Sequence, residues 1–204
     1  MILPVIKRTF GFYPMVEVKP ELPQADIAIV VGHHKFAKGA YSPHLKAYEW
    51  DFNNKVVEHV KSNVDIYFHN PNIRGYRSRQ KAMAKRLNKK SYKLVLELHF
   101  NASDSPSANG AECLYYFKNK VGKTLSNLFC KVIHNNTDIK NRGAKALYNS
   151  KDRGYWFLYY PKATALILEP GFGTNYDDCI NMTPQESLAK DIDDFINVKE
   201  MLNS

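Results

Sequence analysis

Residues 94–102, Leu-Val-Leu-Glu-Leu-His-Phe-Asn-Ala, constrain the rest of the chain more than any other stretch. An apolar run this short, closed at once by a small polar loop, reads as a buried strand. Alternation puts Leu94, Leu96 and Leu98 on one face and Val95, Glu97, His99 and Asn101 on the other, so His99 stands where the strand leaves the core. In open α/β sheets ligands bind at that edge, beyond the carboxyl ends of the strands. Two further runs have the same form. Residues 25–31 end in Gly32-His33-His34, and residues 163–168 end in Glu169-Pro170-Gly171.

The remaining pattern alternates strands with helices. Residues 46–61 repeat apolar side chains near every fourth position (Tyr48, Phe52, Val56, Val60) and read as a helix. Strands are expected over 65–69, 111–117 and 142–149, the last with a Gly break, and helices over 75–90 and 120–135. Residues 155–160 read as an irregular aromatic stretch, and a final helix is expected over 184–202, opened by Thr183-Pro184 with Glu186 as its cap. Such an order predicts an α/β domain with a largely parallel or mixed sheet covered on both faces. Residues 1–24 carry Pro4, Pro14, Pro20 and Pro23, which argues against helix and for an extended arm or edge hairpin packed on the domain.

Charge narrows the partners. With 29 Lys and Arg against 20 Asp and Glu, the formal net charge of +9 calls for a polyanionic partner or surface: nucleic acid, anionic membrane or anionic cell wall. Nine of those cations, from Arg74 through Arg77, Arg79, Lys81, Lys85, Arg86, Lys89 and Lys90 to Lys93, fall in one segment without an acidic residue. The segment is either a solvated helix face or a contact for an anionic wall polymer. Cys113, Cys130 and Cys179 show no metal-knuckle or disulfide-framework spacing and read as free thiols. No run is long enough to span a membrane, and the first residues lack the apolar core of a signal peptide. The expectation is a protein made in the cytoplasm and acting as a monomer.

A catalytic zinc takes three ligands from His and Asp/Glu, keeps one position open for water, and needs a carboxylate beside that water. His33, Glu49, His99 and Glu169 are the candidates. Alone, each has an ordinary explanation: a strand-end His is commonly hydrogen-bonded structure, and a Glu in the first turns of a helix is commonly solvated. Glu169 is harder to account for that way, because a carboxylate against an apolar strand costs several kcal/mol unless paired.

Taken in chain order, Gly32-His33, Glu49 sixteen residues later, Leu98-His99-Phe100-Asn101-Ala102, Asn141-Arg142-Gly143, and Leu168-Glu169-Pro170-Gly171-Phe172 with Asn175 resemble the zinc-dependent N-acetylmuramoyl-L-alanine amidases of bacteria and their phages. The resemblance runs from Asp26 to Asp178. It implies a single domain with a mixed, mostly parallel sheet of about six strands, so that residues 25–204 form the catalytic domain. By position, His33, Glu49 and His99 would bind zinc and Glu169 would be the catalytic carboxylate, with Asn101 and Arg142 as substrate contacts. Glu112, after Gly110-Ala111, is expected at the cleft edge as a third contact. Zinc would lower the pKa of its water to about 7 and polarise the scissile carbonyl, and Glu169 would accept the proton and pass it to the leaving amine. The implied substrate is peptidoglycan, at the amide between the lactyl group of N-acetylmuramic acid and L-alanine.

The chain departs from that pattern in three places. His34 follows His33 and is an alternative ligand; position 97 holds Glu where the family usually has Ser; and the usual Arg-then-Ala-Asn helix is matched only loosely, by Arg79, Arg86 and Asn88. Small size, basic charge and the lack of a signal peptide suit a phage endolysin that reaches the cell wall by another route, and a virion part or a bacterial prophage gene fits equally well. The competing expectations are a carboxypeptidase-like zinc hydrolase, disfavoured because no Glu follows His33 at His-x-x-Glu spacing, and a basic nucleic-acid or wall-binding module without activity. Neither binding module explains the four candidate site residues, so nucleic acid is not expected as a partner. The aromatic residues Tyr155, Trp156, Phe157, Tyr159 and Tyr160 suit either a sugar-lined cleft or core packing.

Overall fold

A computed structural model describes residues 25–201; the expected N-terminal arm lies outside the described residues. In chain order the elements are β1 (Ile27–Val31), β2 (Tyr41–Ser42), β3 (Ala47–Tyr48), α1 (Glu49–His59), β4 (Val64–Phe68), α2 (Tyr76–Leu87), β5 (Leu94–Leu98), β6 (Ala111–Tyr116), α3 (Lys120–Asn136), β7 (Asn141–Leu147), α4 (Tyr155–Tyr159), β8 (Thr164–Glu169), α5 (Tyr176–Asn181) and α6 (Gln185–Met201). Six strands form one sheet in the order β4-β1-β5-β8-β6-β7. The first four are mutually parallel, β6 runs antiparallel to β8, and β7 runs parallel to β6. The sheet is therefore mixed and mostly parallel, as the alternation of elements implies.

Burial follows the period of two. Leu94, Leu96 and Leu98 join Ile27, Ile29, Phe52, Phe129 and Phe195 in a core under α1, α3 and α6. Val95 faces the other way, with Ala28, Val30, Ala165 and Ile167, against Met83 and Leu87 of α2 and Phe157 and Leu158 of α4. Strands covered on both faces read as unbroken apolar runs, which is why 27–31 shows no polar alternation.

The topology sets the position of the site. The carboxyl ends of β4, β1, β5 and β8 and the amino ends of β6 and β7 share one edge, with Val31 opposite Leu98, Leu98 opposite Leu168, and Glu112 opposite both Glu169 and Gly143. Between β6 and β7 the register shifts at Ala111/Glu112, so that Arg142 is the extra residue of an irregularity at that same edge.

Three local expectations are corrected. The helix expected over 46–61 begins at Glu49, because 41–48 fold into the small hairpin β2–β3 with Lys46 in the left-handed region (φ 51°). The aromatic stretch at 155–160 is the short helix α4, entered through Gly154 at φ 93°, and it buries Phe157 and Leu158 on the sheet. Helix α5 was not expected; the Asn175 side chain accepts from the Asp178 amide and caps it. All three cysteines are free and buried. Among the described residues no helix is long and apolar enough to cross a membrane.

Candidate active site

His33, Glu49 and His99 meet at the shared edge, and their ligand atoms lie within 4.8 Å of one another. Local backbone geometry brings them there. The Gly32 amide donates to Leu98 O (3.0 Å), continuing the β1–β5 ladder, and a Cβ on Gly32 would overlap the His99 ring. His33 has φ 63°, a costly conformation for a residue other than Gly and one that collects at functional sites. Glu49 opens α1, where the helix dipole favours a carboxylate. Its Oε2 is 2.9 Å from His33 Nε2, and its Oε1 is 2.6 Å from His99 Nδ1. Oε1 also accepts from the Phe100 amide at 3.2 Å. A side chain on Gly39 would fall between Glu49 and His33, so the cradle closes only around glycine.

The charges follow. Burial works against an ionised Glu49, but the His99 and His33 imidazoles outweigh it and draw the carboxyl down to about 2. Burial likewise opposes a charged His99, and the Glu49 and Glu97 carboxylates overcome it, raising the imidazole well above its usual range. Two imidazole nitrogens and one carboxylate converging beside an open cleft are a donor set that could hold a metal ion.

Glu169 ends β8 next to this cluster. Burial raises its carboxyl most, with Glu112 and Glu49 adding to the effect and His99 opposing it, and the group is pushed up to about 8. The three expected substrate contacts also come together. Glu112 accepts from Asn101 Nδ2 at 2.8 Å and from Arg142 Nε at 2.7 Å, and the Arg142 guanidinium stacks 5.0 Å from the Phe172 ring centre. Asn101 is fixed by the Gly171 carbonyl on one side and the Gly173 amide on the other. Gly173 is required there, because any Cβ would enter the Phe100 ring. Asp178, at the start of α5, accepts from the amides of Gly110 and Phe172 and ties the two loops that carry these residues.

A cleft of about 880 Å³ contains His33, Glu49, His99, Asn101, Glu112 and Glu169. Its other wall comes from Tyr76, Arg79 and Gln80 of α2 and from Arg153 and Trp156 near α4. A separate hollow of about 280 Å³, lined by Asn88, Lys90 and Lys162 among others, holds none of these groups. His34 is not in the ligand cluster: its backbone pairs with Ala37 and its Nδ1 accepts from the Phe36 amide. Trp156 lines the cleft, with Arg77 stacked 4.0 Å from its ring, while Phe157 packs in the core.

The sequence reading marks Glu97 only as a departure from the family pattern and does not pair it with His69, which is also buried in the cleft. His69 and Glu97 form a pair at 2.7 Å, and although burial opposes the charge, His69 and His99 hold Glu97 well below the usual carboxylate range. His69 follows the strand Val64–Phe68, so the signal that singled out His33 and His99, a His closing an apolar strand, was available for it too.

Residues 27–197 match the family model described as N-acetylmuramoyl-L-alanine amidase. Among solved structures the chain is similar to an N-acetylmuramoyl-L-alanine amidase from Clostridium difficile, at 22% identity and TM-score 0.69, covering 89% of this chain and 98% of that one. It is also similar to the catalytic domain of an endolysin targeting Clostridia difficile, at 25% identity and TM-score 0.68 over 83% of this chain and 95% of that one. A third, an N-acetylmuramoyl-L-alanine amidase of Nostoc punctiforme, gives 21% identity and TM-score 0.67 over 87% and 99%. No curated protein is similar enough in sequence to count as a relative.

Proposed function

Because the chain belongs to the N-acetylmuramoyl-L-alanine amidase family, it is a peptidoglycan amidase, and we propose that it hydrolyses the lactyl–L-alanine amide with one zinc ion held by His33, Glu49 and His99 and with Glu169 as the proton carrier. The observation that carries this reading is the Glu49 carboxylate bridging His33 and His99 at 2.9 and 2.6 Å. A buried carboxylate shared by two imidazoles at the mouth of a cleft is poorly explained by folding alone, since burying the three groups costs more than apolar side chains of similar volume would. A bound zinc would supply a Lewis acid for the amide carbonyl and a water acidic enough to attack near neutral pH.

The protein's own groups do the rest. Glu169 takes a proton from the attacking water and delivers it to the leaving L-alanine nitrogen. Arg142 and Asn101 fix Glu112 on the flank of that carboxylate, and the three present one acceptor-rich and donor-rich wall to the substrate's amides. Digestion of purified cell walls tests the reading: new L-alanine amino groups should appear without new reducing sugars, and a chelator should stop their release until zinc is restored. Release of reducing sugars instead, or full activity in chelator, would overturn it.

Of the nine cations of residues 74–93, Arg79 lines the cleft and the other eight divide into two sets. Arg77 stacks on Trp156 and donates to Tyr160 Oη, Arg86 donates to Phe68 O, and Lys90 and Lys93 pair with Asp65 and Asp26. Arg74, Lys81, Lys85 and Lys89 are exposed, and we assign these to contact with an anionic wall polymer, as in an endolysin-like enzyme that acts at the cell wall. Changing Lys81, Lys85 and Lys89 to Gln together should weaken binding to walls at low salt and leave hydrolysis of a small soluble muramyl peptide unchanged. Because exposed charges are screened beyond about 10 Å at 0.1 M ionic strength, the difference should vanish at high salt. Equal wall binding by both proteins at low salt would remove the assignment.

A further inference from the structure

Behind the three candidate ligands lies a polar pair to which the proposed chemistry gives no part. Glu97, on the α2 face of β5, is 1% exposed, and His69, just after β4, is 6% exposed. Strand β1 separates their strands, with Val30 opposite both Tyr67 and Glu97, yet the His69 ring reaches across it to place Nε2 2.7 Å from Glu97 Oε1. The other carboxylate oxygen, Oε2, lies 3.3 Å from His99 Nε2. His99 is therefore held at both ring nitrogens, Nδ1 by Glu49 at 2.6 Å and Nε2 by Glu97.

The two holds differ in consequence. Glu49 joins His33 and His99 in the ligand cluster, whereas Glu97 lies outside it. An imidazole that gives its lone pair to an ion keeps its proton on the other nitrogen, and the partner of that N–H decides which nitrogen binds. A carboxylate accepts and does not donate, so a buried Glu97 selects the Nε2–H form of His99. His69 completes the arrangement by occupying the second oxygen, which would otherwise leave a buried charge short of partners.

We propose that Glu97, braced by His69, is a positioning residue for the metal centre: it accepts the Nε2–H of His99 and so turns the Nδ1 lone pair toward the ion. The proposal rests on the zinc reading given above and adds to it a buried His69–Glu97–His99 chain running from β4 to β5. A carboxylate in that position also raises the basicity of the ligand nitrogen.

Zinc affinity, measured on the full chain by competition with a chromophoric chelator, tests it without reference to turnover. Glu97→Gln should bind zinc about 10- to 100-fold more weakly than the unmodified chain. His69→Gln should show a smaller loss, and the double variant no greater loss than Glu97→Gln alone, because His69 acts through Glu97. A folded Glu97→Gln protein whose affinity stays within about threefold of the unmodified chain overturns the proposal, since an outer partner of a ligand His is worth more than that. Should Glu97→Gln fail to fold, long-range proton–nitrogen spectra of the unmodified zinc-loaded chain decide: His99 protonated on Nε2 and ligated through Nδ1 supports the proposal, and ligation through Nε2 overturns it. An unmodified chain that takes up no zinc removes the metal reading and this inference together. One zinc bound by the unmodified chain and equally well by Glu97→Gln removes this inference alone.

Discussion

Replacing Glu169 by Gln is expected to lower kcat for amide release by about 10²- to 10⁴-fold, the usual worth of a positioned acid–base group, while zinc content and fold are retained. Gln keeps the volume and most of the hydrogen-bonding capacity of Glu but cannot carry the proton between water and amine. A variant that hydrolyses walls at the original rate would disqualify Glu169 from the chemistry. Stability should change in the opposite sense in chelator. Without the ion the Glu169 carboxyl is pushed up from its ordinary 4.5 to about 8, first by burial. The folded chain therefore holds a proton that the unfolded chain has released. That contribution is complete below pH 4.5 and is lost as pH rises through 8. The Gln variant has no such group, so its unfolding free energy from urea titration, relative to the unmodified chain, should climb between pH 5 and pH 8, by a few kcal/mol at most, at about 1.4 kcal/mol per unit of pKa shift. A divalent ion held by His33, Glu49 and His99 would favour the carboxylate form again, as a proton acceptor working near neutrality requires.

Much of this site is legible in the sequence because strands advertise themselves. The runs at 27–31, 94–98 and 164–169 are buried on both faces, and each is followed or ended by a titratable residue. A parallel sheet then forces those residues onto one edge whatever the details of its loops. What the sequence hides depends on chain reversals and on contacts across strands. Glu49 reaches the cluster because 41–48 form a hairpin that turns at Lys46, and periodicity alone extends the helix over that hairpin. Arg142 meets Glu112 through a register shift between β6 and β7, which no local pattern announces. Glu97 looked like a departure from a motif; its partner His69 lies two strands away in the sheet and 28 residues away in the chain. Helix α4 has no amphipathic period to reveal it, being five residues entered through a left-handed glycine.

Glu49→Gln should separate the ion from the fold in a way that Glu169→Gln cannot. Removing the only carboxylate of the cluster leaves two imidazoles, and activity should drop to the limit of detection together with zinc content, whereas Glu169→Gln loses turnover and keeps the ion. Proton competition makes the same point in the unmodified chain. Glu49 and Glu97 hold the His99 imidazole well above its usual range, so an ion that ligates His99 displaces a proton that the metal-free chain retains through neutral pH. Apparent zinc affinity should then rise about tenfold per pH unit through that range, since one proton is exchanged for each ion bound. It should level off only above the raised His99 value. Stability of the metal-free chain moves with Glu49 in the other direction: a carboxyl drawn down to about 2 contributes stability above its ordinary 4.5 and loses it as pH falls toward 2. Acid should therefore weaken both the empty cradle and its hold on the ion, the first through Glu49 and the second through His99. A Glu49→Gln protein that retained one zinc and the original turnover would leave the two imidazoles without a common ligand between them and would place the ion at another site.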